Sequence, residues 1–231
     1  MAIGNKSIVD WKTIMLDSSV IIALFMSQAE EVKDEDIRFT KDLIDFLNSH
    51  NSGDGKPRKF LIPTIVLSEV ITIEDDQEKI KRILRVLNSN NVEFVDFDFA
   101  TSMLFNHHLK PNIIKRKNLN KLALEIGFKS GDYGMAREWI HRDFMIAMSG
   151  KAHEVDVILT ADCKTFYPLS NKIDAFCALT YKRFFNKPFS SIIEYYHLKA
   201  VEEYYPKNLK DFRIGEQPKV QDHPRTEKVK S

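Results

Sequence analysis

The sequence predicts an α/β fold with a mostly parallel sheet, and two observations carry that expectation. Short apolar runs of strand length recur along the chain, each followed by a capping or turn residue and then by a helical pattern. No segment repeats at a fixed period, so a repeat array is not indicated.

Thr13, Ile14, Met15 and Leu16 form the first run, and Asp17, Ser18 and Ser19 are good N-capping types ahead of a helix through Met26. A second helix is expected over residues 37–47, followed by the turn cluster at 48–56 that holds Gly53 and Gly55. Residues 59–62 read as the second strand, with Pro63 and Thr64 leading into a helix that reaches about Ile73. Ile80, Ile83, Leu84 and Leu87 fall at helical spacing within 75–87, and residues 92–97 alternate as a third strand. Helical stretches are expected around Met103 and over 119–126, inside a basic insertion at about 100–130. A long helix over 136–152 precedes a fourth strand at 155–159, which ends at Thr160, Ala161 and Asp162. Beyond Phe166 strand and helix remain open alternatives, apart from a helical pattern at 190–204 within an extension at about 185–212. Residues 215–231 are polar and are expected to be a disordered tail.

At 231 residues, against roughly 150 per domain, the chain suits one enlarged domain over residues 1–214. Hydrophobic residues at 43% and charged residues at 29% match a globular chain and exclude disorder overall and collagen-like fibres. The longest apolar run, residues 20–26, is far short of the roughly 18 residues of a membrane span. The N-terminus lacks a signal-type apolar segment, so a cytoplasmic location is expected. Cys163 and Cys177 have neither CxxC nor zinc-finger spacing and are expected as buried thiols. With 34 basic and 33 acidic residues the formal net charge is +1, so a polyanion would have to be met by a local patch.

Four carboxylates stand out. Asp17 and Asp162 follow strands at their carboxyl ends, the edge where open α/β sheets bind ligands. Glu69 has Ile65, Val66, Thr72 and Ile73 three or four positions away, and Asp143 has Trp139, Ile140, Ile146 and Ala147, so both acids are expected to point coreward. An ionised carboxylate there costs several kcal/mol unless it finds a cation, a hydrogen-bond network or a raised pKa. Any one of these acids has an ordinary reading as a cap or an ion-pair partner. All four are satisfied by one or two hard divalent cations, Mg²⁺ or Mn²⁺, for which oxygen ligands are suited.

The runs Ile14 to Ile22, Ile62 to Val70, Arg142 to Ala147 and Val157 to Asp162 resemble, in order and spacing, the four motifs of the PIN-domain nucleases. The most specific piece is Asp143 with Ile146 and Ala147, followed nineteen residues later by Asp162. The resemblance spans about residues 12–170 and implies a PIN-like three-layer fold with helices on both faces of the sheet. It further implies a metal-dependent endoribonuclease in which Asp17, Glu69, Asp143 and Asp162 are the catalytic, metal-holding acids. Ser18, Ser19 and Thr160 match positions whose hydroxyls hold the acids or a metal-bound water.

Lys110, Lys115, Arg116, Lys117, Lys121 and Lys129 place six cations in twenty positions against Glu125 alone. Lys115, Arg116, Lys117 and Lys121 are the expected RNA-phosphate contacts, with Phe105, His107, His108 and Phe128 beside them as candidates for base stacking or core packing. His107, His108 and His141 are expected at the surface. The aromatic cluster from Phe184 to Tyr205 suits packing or a homodimer face. A haloacid-dehalogenase-type phosphatase is disfavoured because the second Asp it needs two residues after Asp17 is Ser19. The rival reading is a non-catalytic PIN-like RNA-binding or scaffold module, and a toxin regulated by an antitoxin is a sub-case of the nuclease reading.

Overall fold

The four expected apolar runs all become strands: β1 at Thr13–Leu16, β2 at Lys59–Pro63, β3 at Val92–Val95 and β4 at Val157–Thr160. The computed structural model describes residues 8–26, 34–73, 76, 78, 81, 90–112, 116–125, 133–173 and 175–181. A fifth strand, β5 at Cys177–Leu179, joins them, and the order across the sheet is β3-β2-β1-β4-β5, every neighbouring pair parallel. Ile14, Met15 and Leu16 are buried in succession, as is all of β4, which is what a sheet covered on both faces requires.

The helices are α1 (Ser18–Met26), α2 (Glu35–Ser49), α3 (Thr64–Ile73), α4 (Phe99–Asn112), α5 (Arg116–Glu125), α6 (Tyr133–Ala152) and α7 (Phe166–Lys172). From β1 to β3 the chain moves towards one edge of the sheet, and from β3 to β5 it returns past β1 to the other. Right-handed crossovers therefore place α1 to α3 on one face and α4 to α7 on the other, giving an α/β fold of three layers. Asp34 caps α2, its carboxylate accepting from the backbone N–H of Asp36 at 2.8 Å, and Ile37, Leu43, Ile44 and Leu47 turn the helix's apolar stripe inward. Gly55, at φ 80°, closes the loop that leads into β2. Gly150 lets α6 lie close on β4, since a Cβ there would sit 2.6 Å from Ile158 Cδ1.

The helical stretches expected around Met103 and over 119–126 fall in α4 and α5, both packed on α6 within the long crossover from β3 to β4. The open alternatives after Phe166 resolve into α7 and then β5, which is too short for periodicity to declare. Cys177 is buried as expected, but Cys163 is only half-buried. Most of the helix expected over 75–87, the extension at 185–212 and the tail at 215–231 lie outside the described residues. No described helix is long and apolar enough to cross a membrane.

Candidate active site

β1 and β4 run side by side with Leu16 opposite Leu159, and the chain leaves them in opposite directions, through α1 towards β2 and through α7 towards β5. Such a switch point opens a crevice beyond the strands' carboxyl ends, and Asp17 and Asp162 both stand there.

Asp17 is 3% exposed, and its backbone N–H continues the ladder to Leu159 O at 3.0 Å. Its Oδ2 accepts from Ser19 Oγ at 2.6 Å and from Thr160 Oγ1 at 2.7 Å, while Ser18 Oγ lies 3.4 Å from Oδ1. The two stronger donors are themselves held, Ser19 Oγ accepting from the Ala161 N–H at 2.8 Å and Thr160 Oγ1 from the Asp162 N–H at 3.0 Å. Burial raises the Asp17 pKa, the Ser19 and Thr160 hydroxyls oppose that, and nearby Asp162 adds to it. All three hydroxyls expected around the acids are therefore at Asp17.

Asp162 fills the ordinary role of a cap that the sequence allows for any one of the four acids. Its Oδ1 accepts from the N–H groups of Lys164 at 2.7 Å and Thr165 at 2.9 Å, and its Oδ2 from the Thr165 hydroxyl and, at 3.4 Å, the Phe166 N–H. It anchors the turn that starts α7 as well as facing the crevice.

Glu69 on α3 and Asp143 on α6 complete the group. Neither is fully coreward: both are half-buried, because Thr72 and Trp139 beside them face solvent. The Arg142 guanidinium stands 3.8 Å from Glu69 Oε1. Burial raises the Glu69 pKa, the Ser18 hydroxyl lowers it, the Asp17 charge raises it and Arg142 lowers it. Asp143 Oδ2 is sealed from solvent and has no hydrogen-bond partner. Its pKa stands well above the ordinary value, first through burial and then through repulsion from Asp17, Asp162 and Glu69, with the Thr165 hydroxyl opposing.

Among the described residues, no three His, Cys, Asp or Glu side chains are close enough together to enclose a metal ion as they stand. The chemistry of the donors still fits a hard cation. All are oxygens, one buried carboxylate oxygen lacks any partner, and Asp143 is repelled by the other three acids.

The expected RNA contacts are placed unevenly. Lys115 lies outside the described residues, and Arg116 and Lys117 open α5, their side chains not described. Lys121 is exposed, with Glu125 at 3.8 Å offsetting its charge. Phe105 is a packing residue, making edge-on contacts with Phe97, Phe144 and His141. His141 is therefore half-buried instead of at the surface, and burial lowers its pKa. His107 is exposed as expected, while Phe128 and the aromatic cluster from Phe184 to Tyr205 lie outside the described residues.

The ion pair of Arg142 with Glu69 was not among the sequence expectations. Trp139, expected as part of the apolar wall around Asp143, is 49% exposed.

No protein-family model matches the chain, and no curated protein matches it. Among solved structures it is similar to VapBC2 from Rickettsia felis bound to a promoter DNA fragment, at 12% identity and TM-score 0.45, covering 74% of this chain and 99% of that one. It is also similar to DNA-bound VapBC from Salmonella typhimurium, at 18% identity and TM-score 0.42, covering 73% of this chain and 98% of that one.

Proposed function

We propose that this chain is a PIN-like, Mg²⁺- or Mn²⁺-dependent endoribonuclease that hydrolyses RNA phosphodiester bonds at the crevice beyond β1 and β4. The observation that carries the reading is Asp143 Oδ2, a buried carboxylate oxygen without a partner among three further acids, which calls for a cation. The motif resemblance of the sequence points to the same four residues.

Asp17, Glu69, Asp143 and Asp162 would hold the ion. When bound, a divalent cation there supplies positive charge against the phosphate and acidifies the attacking water. Ser19 and Thr160 keep Asp17 oriented by donating to Oδ2, so its other oxygen is less committed. Asp162, fixed by the α7 turn, holds its place without a long flexible arm. Arg142 balances Glu69 until a cation takes over that charge. No side chain needs to act as a nucleophile. A protein antitoxin, a homodimer and a cytoplasmic location belong to the same reading.

The test is cleavage of a panel of RNAs and single-stranded DNA by purified protein in Mg²⁺, Mn²⁺ or EDTA, beside folded Asp17→Asn and Asp143→Asn variants. Metal-dependent cutting of RNA that both substitutions abolish is expected. Absence of cutting by the wild type, together with no stabilisation by metal, would leave the non-catalytic RNA-binding or scaffold reading.

A further inference from the structure

Asp162 uses its two carboxylate oxygens differently. Oδ1 accepts from the backbone N–H groups of Lys164 at 2.7 Å and Thr165 at 2.9 Å, and that oxygen is enough to cap the turn into α7. Oδ2 accepts chiefly from a side chain, the Thr165 hydroxyl, with the Phe166 N–H at a longer 3.4 Å.

Thr165 is itself firmly held. It is 7% exposed, its carbonyl accepts from the Leu169 N–H at 3.2 Å, and the next two residues, Phe166 and Tyr167, are each 1% exposed and anchor the start of α7 in the core. A β-branched side chain has few χ1 choices, so a fixed backbone fixes the direction of the hydroxyl as well. On the other side α6 packs on α7 and brings Asp143, and the Thr165 hydroxyl lies close enough to favour the charged form of that acid too. A hydroxyl has one hydrogen, and the geometry gives it to Asp162, while Asp143 Oδ2 has no partner.

We propose that Thr165 is a positioning residue of the crevice, its hydroxyl holding Asp162 Oδ2 in place for a divalent cation shared with Asp143. The proposal rests on the metal-site reading and goes beyond it by adding a residue outside the four acids and the three hydroxyls at Asp17. Carboxylates that ligate metals are themselves hydrogen-bonded, and losing one such donor typically costs 10- to 100-fold in metal affinity. Without the hydroxyl, Oδ1 stays pinned by the turn but Oδ2 loses its side-chain restraint, and a cation would have to order it on binding.

The test is calorimetric titration of Mn²⁺ into the full-length protein and into Thr165→Val, Thr165→Ser and Ser170→Ala, each shown to be folded by circular dichroism. Ser170 serves as the control, because it is fully buried on α7 and donates to Tyr167 O at 2.8 Å, so its loss disturbs the helix through a carbonyl and not through an acid.

Thr165→Val should weaken Mn²⁺ binding about 10- to 100-fold, whereas Thr165→Ser and Ser170→Ala should bind as the wild type does. If the valine variant does not fold, Thr165→Ala carries the same expectation. Wild-type or tighter binding by the folded variant that lacks the hydroxyl would overturn the proposal. So would a loss that serine fails to rescue or that Ser170→Ala shares, since the effect would then belong to the stability of α7. Absence of Mn²⁺ binding by the wild type would overturn the metal-site reading, and the proposal with it.

Discussion

Thr160 Oγ1 joins two acids at once, donating to Asp17 Oδ2 at 2.7 Å and accepting the Asp162 N–H at 3.0 Å. One hydroxyl at the end of β4 thus ties the carboxylate of Asp17 to the backbone of Asp162, and Thr160 is completely buried.

Thr160→Val keeps the shape and removes that link, leaving the part-buried Asp162 N–H without its acceptor and the buried Asp17 carboxylate with one donor fewer. Equilibrium urea unfolding should show a loss of about 1–3 kcal/mol. RNA cleavage should fall with it, and Thr160→Ser should restore both.

Asp143→Asn should stabilise the metal-free protein at neutral pH. The folded pKa of Asp143 is raised above its unfolded value, so folding favours the protonated form. The resulting penalty is absent below the unfolded pKa, near pH 4, and grows as pH rises towards the folded pKa. Thermal melts of both proteins across pH 4 to 8 should therefore diverge upward with pH, the variant gaining on the order of 1–2 kcal/mol at the top.

Divalent metal should reverse that ranking. Mn²⁺ at about a hundred times its Kd adds about 2.7 kcal/mol to a protein that binds it only when folded. For a chain of this size that is roughly 5–10 °C in Tm, and EDTA should remove the gain. Asp17→Asn and Asp143→Asn should show little of it.

At the opposite end of the sheet, Arg58 is a structural counterpart. Its guanidinium is 2% exposed and donates to the carbonyls of Ile8 at 3.2 Å, Trp11 at 3.0 Å, Asn51 at 2.9 Å and His50. It ties the turn before β1 to the end of α2. Arg58→Met should cost about 2–4 kcal/mol in denaturant titrations by leaving buried carbonyls without donors, and Arg58→Lys should rescue little because an ammonium lacks the fork. Metal binding by the folded fraction should be unchanged.

What the sequence determined by itself was local. Periodicity and capping chemistry marked the first four strands, and burial economics marked Asp17, Glu69, Asp143 and Asp162 as acids needing a reason. These are properties of a residue and its near neighbours, and 2.0- or 3.6-residue spacing carries them directly. Tertiary structure decided everything that depends on which element lies against which. It made β5 a strand, because three apolar residues beside β4 gain ladder hydrogen bonds that their pattern cannot announce. It set Phe105 against His141 and put Arg142 within reach of Glu69. Spacing says which side chains share a face of a helix; the partner that covers that face, or leaves it to water, comes from another part of the chain.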